Sequence, residues 1–347
     1  GCFINSGSGL LDFLPELRRL RPDVFVVNED GNAPAKAELC RRLGQAAVGV
    51  DIAAAATGAN DATLSSDQPE TGRFRLERLD LTDRSEVLRT IKRLRPEAVI
   101  NCAAYTAVDQ AEKEPELARA VNALAVSYLA EGCAEVDCAL IQISTDYVFG
   151  GQPLGRPWRE DDQPSPQNVY ALTKLEGEQA AAAWTKHIIV RTCGLYARPE
   201  DGRAKNFVRT ILRLAREGRP LRVVNDQHCT PSFVPHVAEA VLFLAGLSGS
   251  NTPTHWGSET ATHSGSATAK HWGIYHVTNR GQTTWYQFAC EILHLAGLDV
   301  PIEPITSQQY SALARRPQYS VLDTSRYHAL GGPTMPDWQL ALGEYFR

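Results

Sequence analysis

A basic excess is the first thing this chain lacks. Its 35 Lys and Arg stand against 40 Asp and Glu, a formal net charge of −5. A nucleic-acid surface shows the opposite balance, so nucleic acid is not expected as a partner. An anionic small substrate stays open, because a few placed arginines bind one without changing the total. Also absent is any apolar run near the roughly 20 residues that span a bilayer, so no membrane partner is expected. The opening Gly1-Cys2-Phe3-Ile4-Asn5 has no charged segment ahead of an apolar one. It does not read as a signal peptide, and a cytoplasmic location is expected. Cysteine occurs 8 times, at Cys2, Cys40, Cys102, Cys133, Cys138, Cys193, Cys229 and Cys290, but never as CxxC or with zinc-ligand spacing. No metal site is expected from them, and free thiols in a reducing compartment are the reading. His255, His263 and His271 are irregularly spaced, without a carboxylate set, inside a Ser-, Thr- and Gly-rich stretch. Residues 248–271 therefore read as a flexible insert.

What is present is alternation. Strand-like runs at Asp23–Val27, Ala46–Val50 (ending at Asp51), Glu97–Asn101, Ala139–Ser144 and His187–Arg191 are separated by helical patterns at 34–44, 85–94, about 112–135 and about 168–184. The second of these helices is expected to be capped by Thr82 or Asp83. Residues 52–72 read as a surface loop. Alternating strands and helices imply crossovers, hence a parallel sheet covered on both faces. The expected fold class is α/β, a doubly wound, Rossmann-like sheet with a smaller C-terminal substrate-binding lobe. Residues 46–195 would form the dinucleotide-binding domain and 196–347 most of the lobe. In this class ligands lie beyond the carboxyl ends of the strands.

The chemistry-bearing residues follow strands as that rule requires. Tyr170-Ala171-Leu172-Thr173-Lys174 lies on a predicted helix. Residues four apart share a helical face, so the phenol and the ammonium point the same way. A cation beside a phenol favours the phenolate and lowers a pKa of about 10, making the tyrosine a usable general acid. Thr145 follows the strand Ala139–Ser144 and could donate to a substrate carbonyl or to the Tyr170 phenol; strand-end capping is the plainer reading. Asn101 to Asp109 also follows a strand, and its small residues allow a flat cofactor or a helix to approach the backbone closely.

These segments, taken in order, resemble the extended short-chain dehydrogenase/reductases, and more narrowly the dTDP-4-dehydrorhamnose reductase family. The matching stretches are Leu79–Asp83, Asn101–Asp109, Ser144–Phe149, Asn168–Lys174, Asn225–Gln227, Thr283–Tyr286, Ala314–Pro317 and Pro336–Trp338. The resemblance implies reduction of the C4 keto group of dTDP-4-dehydro-L-rhamnose to dTDP-L-rhamnose. Tyr170 would be the proton donor, Lys174 would hold the nicotinamide ribose and tune Tyr170, and Thr145 would adjust Tyr170. Ala103, Ala104 and Tyr105 would line the cofactor, with Asp80 and Leu81 near the adenine. Asp51 would meet the adenosine ribose; an acid there favours NADH by the general rule, whereas the family commonly takes NADPH, so both stay open. Thr106, Thr145, Asp146, Trp285 and Arg316 are the expected substrate contacts, although Arg316 fits a structural salt bridge almost as well. Mg²⁺ and a homodimer are left open by the resemblance.

Two departures from the family pattern stand out. No GxxGxxG turn follows the first strand; Asn28, Gly31 and Pro34 occupy those places, so residues 1–45 are an atypical opening segment that could still complete the first Rossmann unit. Gly194 stands where the family has a tryptophan that helps hold the substrate, and Trp285 or another aromatic is the candidate replacement. Two other functions compete with the reductase. One is a sister nucleotide-sugar epimerase or dehydratase using the same Tyr and Lys; the other is a regulatory protein that kept the fold without turnover.

Overall fold

A computed structural model describes residues 24–27, 48–51, 75–198, 206–248 and 271–347. The helix expected at 34–44, the loop at 52–72, the turn holding Asn28, Gly31 and Pro34, and nearly all of the histidine-containing insert lie outside the described residues.

Strands β1 (Val24–Val27), β2 (Val48–Asp51), β3 (Arg75–Arg78), β4 (Ala98–Asn101), β5 (Ala139–Thr145) and β6 (His187–Thr192) belong to one sheet. Two short strands, β7 (Leu221–Val224) and β8 (His228–Cys229), lie outside it, and β9 (Gly273–His276) returns to its edge. The order is β3-β2-β1-β4-β5-β6-β9, with every pair parallel. The doubly wound class is as expected. The short run Val24–Val27 of the opening segment takes the central place between β2 and β4. The strand order reverses between β1 and β4, which is where such a sheet opens a ligand crevice.

Strands β4, β5 and β6 read as largely apolar runs because both of their faces are covered. Alternate residues then part company by period 2. Ile100, Ile141, Ile143, Ile188, Val190 and Tyr275 join one core cluster, while Val99, Leu140 and Ile189 join another. Fully burying such a side chain stabilises by about 1.5–3 kcal/mol, which fixes strand register firmly.

Helix α1 (Arg84–Leu94) closes the second face with Val87 and Ile91. Asp83, not Thr82, caps it by accepting from the Glu86 amide at 3.1 Å; Thr82 instead donates its hydroxyl to Asp80 at 2.6 Å. The single long helix expected over about 112–135 is broken. Short α2 (Val108–Ala111) and α3 (Pro115–Arg119) lead into a wide helical turn at Ala120–Leu124, with five residues per hydrogen bond, and then α4 (Ala125–Val136). Pro115 has no amide to continue a helix from before it, but it suits the first turn of a new one. The wide turn brings the Asn122 carbonyl against Gly177 of α5 (Val169–Ala182), where a Cβ would overlap it.

The lobe is built from α6 (Phe207–Arg216), α8 (Trp285–Leu295) and α11 (Trp338–Phe346), which share one apolar cluster. Before α8, helix α7 (Val234–Ser248) covers the first face of the main sheet through Val237, Val241 and Leu244. The sequence reading did not separate α7, because a helix buried widely around its circumference loses the one-sided pattern. Strand β10 (Thr283–Thr284) pairs antiparallel with β8, and β11 (Ile302–Ile305) pairs parallel with β7. Short helices α9 (Ser307–Tyr310) and α10 (Ser325–Ala329) lie between β11 and α11.

Candidate active site

The carboxyl ends of β4 and β5 and the start of α5 meet beside the strand-order reversal. After β4, the Asn101 carboxamide accepts from the Ala103 amide at 3.0 Å and donates to Gln142 at 2.7 Å. Asn122, carried by the wide turn, accepts from the Tyr105 amide at 2.8 Å and donates to its carbonyl at 3.1 Å. The path of Ala103-Ala104-Tyr105 is thus held by two side chains acting as backbone surrogates. Ala103 and Ala104 are buried, and the buried hydroxyl of Thr106 has no hydrogen-bond partner. Small residues on a pinned loop and an unpaired hydroxyl fit a dinucleotide laid across the strand ends. Asp51 ends β2 alongside Val27 of β1, where the adenosine ribose was expected. Asp80 accepts from the Thr82 amide at 2.8 Å, and the Leu81 side chain is in the core. The Leu81 side chain is therefore withdrawn from an adenine, while half-buried Asp80 is fixed through one carboxylate oxygen.

Helix α5 starts where it does because Asn168 accepts from the Ala171 amide at 2.7 Å and donates to the Arg315 carbonyl at 2.7 Å. Glu112 accepts from the Val169 amide at 2.8 Å. Three segments thereby fix the first turn, and with it Tyr170. The expected shared face is present, with Tyr170 and Lys174 both buried and the Lys174 ammonium donating to the Ile143 carbonyl at 2.7 Å. The Tyr147 ring meets Tyr170 edge-on at 5.9 Å between centroids.

Thr145 was expected to donate to a substrate carbonyl or to the Tyr170 phenol. In the structure its hydroxyl donates to Asp146 at 3.1 Å and accepts from the Tyr147 amide at 3.2 Å. The strand-end cap is therefore present, and a lone pair is left as the remaining capacity of the Thr145 oxygen. Asp146, expected at the sugar, is 2 % exposed and also accepts from Ser320 at 2.5 Å. Burial raises its pKa, against the lowering effect of Ser320. Arg316 forms the salt bridge that the sequence weighed against a substrate role. It donates to Asp109 at 2.7 and 3.0 Å, and to the Ala314 carbonyl at 2.7 Å. That bond lowers the Asp109 pKa; burial opposes the Arg316 charge, yet the same bond leaves the Arg316 pKa raised. The Tyr147 pKa is raised, by burial first and the Asp146 charge second, while the Arg316 charge pulls it down.

Trp285, the first residue of α8, packs on Phe207 at 4.7 Å and lies over Gly194. A Cβ on Gly194 would stand 3.0 Å from the Trp285 ring tip and 3.1 Å from the Pro231 Cα, and the Gly194 φ is +55°. The space above this glycine is filled by an aromatic from elsewhere in the chain. Cys193, just before it, is a free thiol hydrogen-bonded to Cys229 and to Asp146, and these contacts together with burial raise its pKa.

Several of these groups escaped the sequence reading. Asp109 partners Arg316 across 207 residues and Ser320 reaches Asp146 across 174, so no local spacing marks them. Tyr147 and Asn122 lie in or near motif segments, but nothing linear says that they touch Tyr170 and Tyr105. Among the described residues, no group of three or more His, Cys, Asp or Glu could hold a metal ion, and no helix is long and apolar enough to cross a membrane.

Comparison with known proteins places these features in context. Residues 42–347 match the RmlD substrate binding domain family. A dTDP-4-dehydrorhamnose reductase of Streptomyces griseus is 41% identical over 273 residues, covering 77% of this chain and 82% of the relative. One of Escherichia coli K12 is 36% identical over 270 residues, covering 76% and 83%. A crystal structure of the Bacillus anthracis dTDP-4-dehydrorhamnose reductase in complex with NADP superimposes with a TM-score of 0.71 at 29% identity, covering 94% of this chain and 99% of that one.

Proposed function

The chain belongs to the dTDP-4-dehydrorhamnose reductase family, and from that premise we propose that it reduces the C4 keto group of dTDP-4-dehydro-L-rhamnose to dTDP-L-rhamnose, with Tyr170 as the proton donor. The observation that carries this reading is that Lys174 bonds the Ile143 carbonyl near the carboxyl end of β5 while Tyr170, one turn earlier on α5, packs with Tyr147 and with Tyr105 of the pinned loop, two residues past Thr145 and two past Ala103 respectively. NADPH is the proposed reductant, and its nicotinamide supplies the hydride when bound.

This chain's own residues account for the other half of the reaction. As negative charge grows on the sugar O4, a proton must arrive there, and the Tyr170 phenol is the group on the shared helical face able to give it. The Lys174 ammonium, held by the Ile143 carbonyl, favours the phenolate left behind. Thr145, whose proton is directed to Asp146, offers an oxygen lone pair to a neighbouring hydroxyl, so it orients a donor rather than acting as one. Arg316 supplies positive charge on the Tyr147 side of the site and suits an anionic sugar nucleotide. Trp285 supplies the flat apolar surface that Gly194 does not.

The direct experiment mixes the purified chain with dTDP-4-dehydro-L-rhamnose and NADPH and follows loss of the reduced-nicotinamide absorbance. Turnover that Tyr170→Phe abolishes supports the assignment. No turnover in the wild type, despite saturable NADPH binding, overturns it.

A further inference from the structure

One face of α5 continues past Tyr170 and Lys174 to Glu178, four residues on. Glu178 is 3 % exposed and is held by buried polar contacts beneath the site. Arg191 of β6 donates to it three times, at 2.9, 3.2 and 2.7 Å. Ser144 of β5, immediately before Thr145, donates its hydroxyl at 2.5 Å. The Arg191 guanidinium lies 5.0 Å from the centre of the Phe149 ring and 3.4 Å from Nε2 of His276 on β9. His276 completes the chain through Nδ1, which donates toward the carbonyls of Trp158 and Asp323 at 3.1 and 3.2 Å. That tautomer leaves Nε2 as the acceptor for Arg191, so the imidazole is neutral and Glu178 alone balances the buried guanidinium. Trp158 in turn bridges Leu322 and donates its indole N–H to the Tyr319 carbonyl at 3.0 Å, next to the Ser320 that holds Asp146.

We propose that Glu178 is a positioning residue for the reduction, fixing α5 against the end of β5 so that Tyr170 and Lys174 stay in register with Thr145. The physical reason is rigidity. A carboxylate that accepts from two different strands has one low-energy placement, whereas an apolar contact at the same spot tolerates sliding. Proton transfer from a misplaced phenol slows steeply, and a shift near 1 Å can cost about a hundred-fold. Ala103–Tyr105 and Trp285 lie on other elements, and of the expected ligand contacts only Lys174 shares α5, so the larger effect falls on the chemical step and the smaller one on NADPH capture. This inference rests on the proposed reductase reading.

Two variants test it in the same assay. Ser144→Ala removes one tie and leaves no charge unpaired. Glu178→Leu combined with Arg191→Met removes both buried charges together, a replacement that folded proteins commonly tolerate, whereas removing one partner strands the other. For each, kcat per folded molecule, KM for the sugar nucleotide and NADPH affinity by titration are measured beside the thermal midpoint. The proposal expects the double variant to fold and bind NADPH within about two-fold of wild type while kcat falls at least about ten-fold with KM nearly unchanged. Ser144→Ala is expected to lose about three-fold in kcat in the same pattern, and it decides alone if the double variant does not fold. Full kcat in Ser144→Ala or in a folded double variant overturns the proposal, leaving the network a purely structural one. Parallel loss of NADPH affinity also overturns it, because the network would then shape the cofactor cleft. A wild-type protein that binds NADPH and is inert toward the sugar nucleotide refutes the substrate reading instead, and the two failures are distinguishable.

Discussion

Replacing Gly194 by alanine strikes both the backbone and the substrate side of the site. The φ of +55° lies in the left-handed region, where an L side chain costs about 1–2 kcal/mol. The new Cβ would also stand 3.1 Å from the Pro231 Cα, a backbone atom that cannot rotate away, and 3.0 Å from the tip of Trp285, which can tilt. Crowding against Pro231 adds about 1 kcal/mol at the lower end of the overpacking range. The total of about 2–3 kcal/mol corresponds to a fall of about 3–4 °C in thermal midpoint for a chain of this size. Tilting Trp285 removes an aromatic surface worth about 0.5–1.5 kcal/mol, so KM for the sugar nucleotide should rise about two- to ten-fold. The turnover number should hold within about three-fold, since Tyr170 and Lys174 sit on another element. Differential scanning calorimetry and steady-state kinetics read the two halves separately. Trp285→Ala serves as the control that raises KM without touching the glycine. An unchanged midpoint would refute the backbone argument. An unchanged KM in both variants would remove Trp285 from the substrate site.

Four further outcomes are expected. Tyr170→Phe should lower kcat by about 10²–10⁴ while NADPH binding, followed by fluorescence titration, stays close to wild type. Gly177→Ala forces a Cβ onto the Asn122 carbonyl, so it should destabilise by about 3 kcal/mol in urea and weaken NADPH binding through the Asn122-held Tyr105 backbone; wild-type values for both would contradict the close approach. His276 has its pKa lowered to about 3 by burial and the Arg191 charge. The unfolded state therefore binds more protons between about pH 3 and 6.5, and this group's contribution to stability is present above that window and falls by up to about 1.4 kcal/mol per pH unit on acidification through it. Urea midpoints across pH should show a shallower acid slope in His276→Gln than in the wild type. Asp109→Asn should cost about 1–2 kcal/mol in stability, because the carboxylate is nearly half exposed but the Arg316 it leaves is only 16 % exposed, and it should alter KM for the sugar nucleotide by releasing Arg316; an unaltered KM would confine Arg316 to a structural role.

The sequence by itself determined the class of sheet, most of its strands, and the helix that carries Tyr170 and Lys174. Those features are written in short-range patterns: apolar runs of strand length, a capping signal at Thr82 or Asp83, and a four-residue spacing that helical geometry converts into a shared face. It also pointed to Thr145 as the residue at the end of β5, and to the place where Gly194 leaves an aromatic missing. Only the tertiary structure decided what those groups touch. The Thr145 proton goes to Asp146, Arg316 goes to Asp109, and Trp285 fills the space over Gly194, each across a connection that no local spacing encodes. The long helix failed for the same reason, because the wide turn at Ala120–Leu124 brings Asn122 to both Gly177 and Tyr105, two places set by packing between distant segments. Periodicity reports how a segment faces a core; which polar atom lies opposite is fixed only when the segments meet.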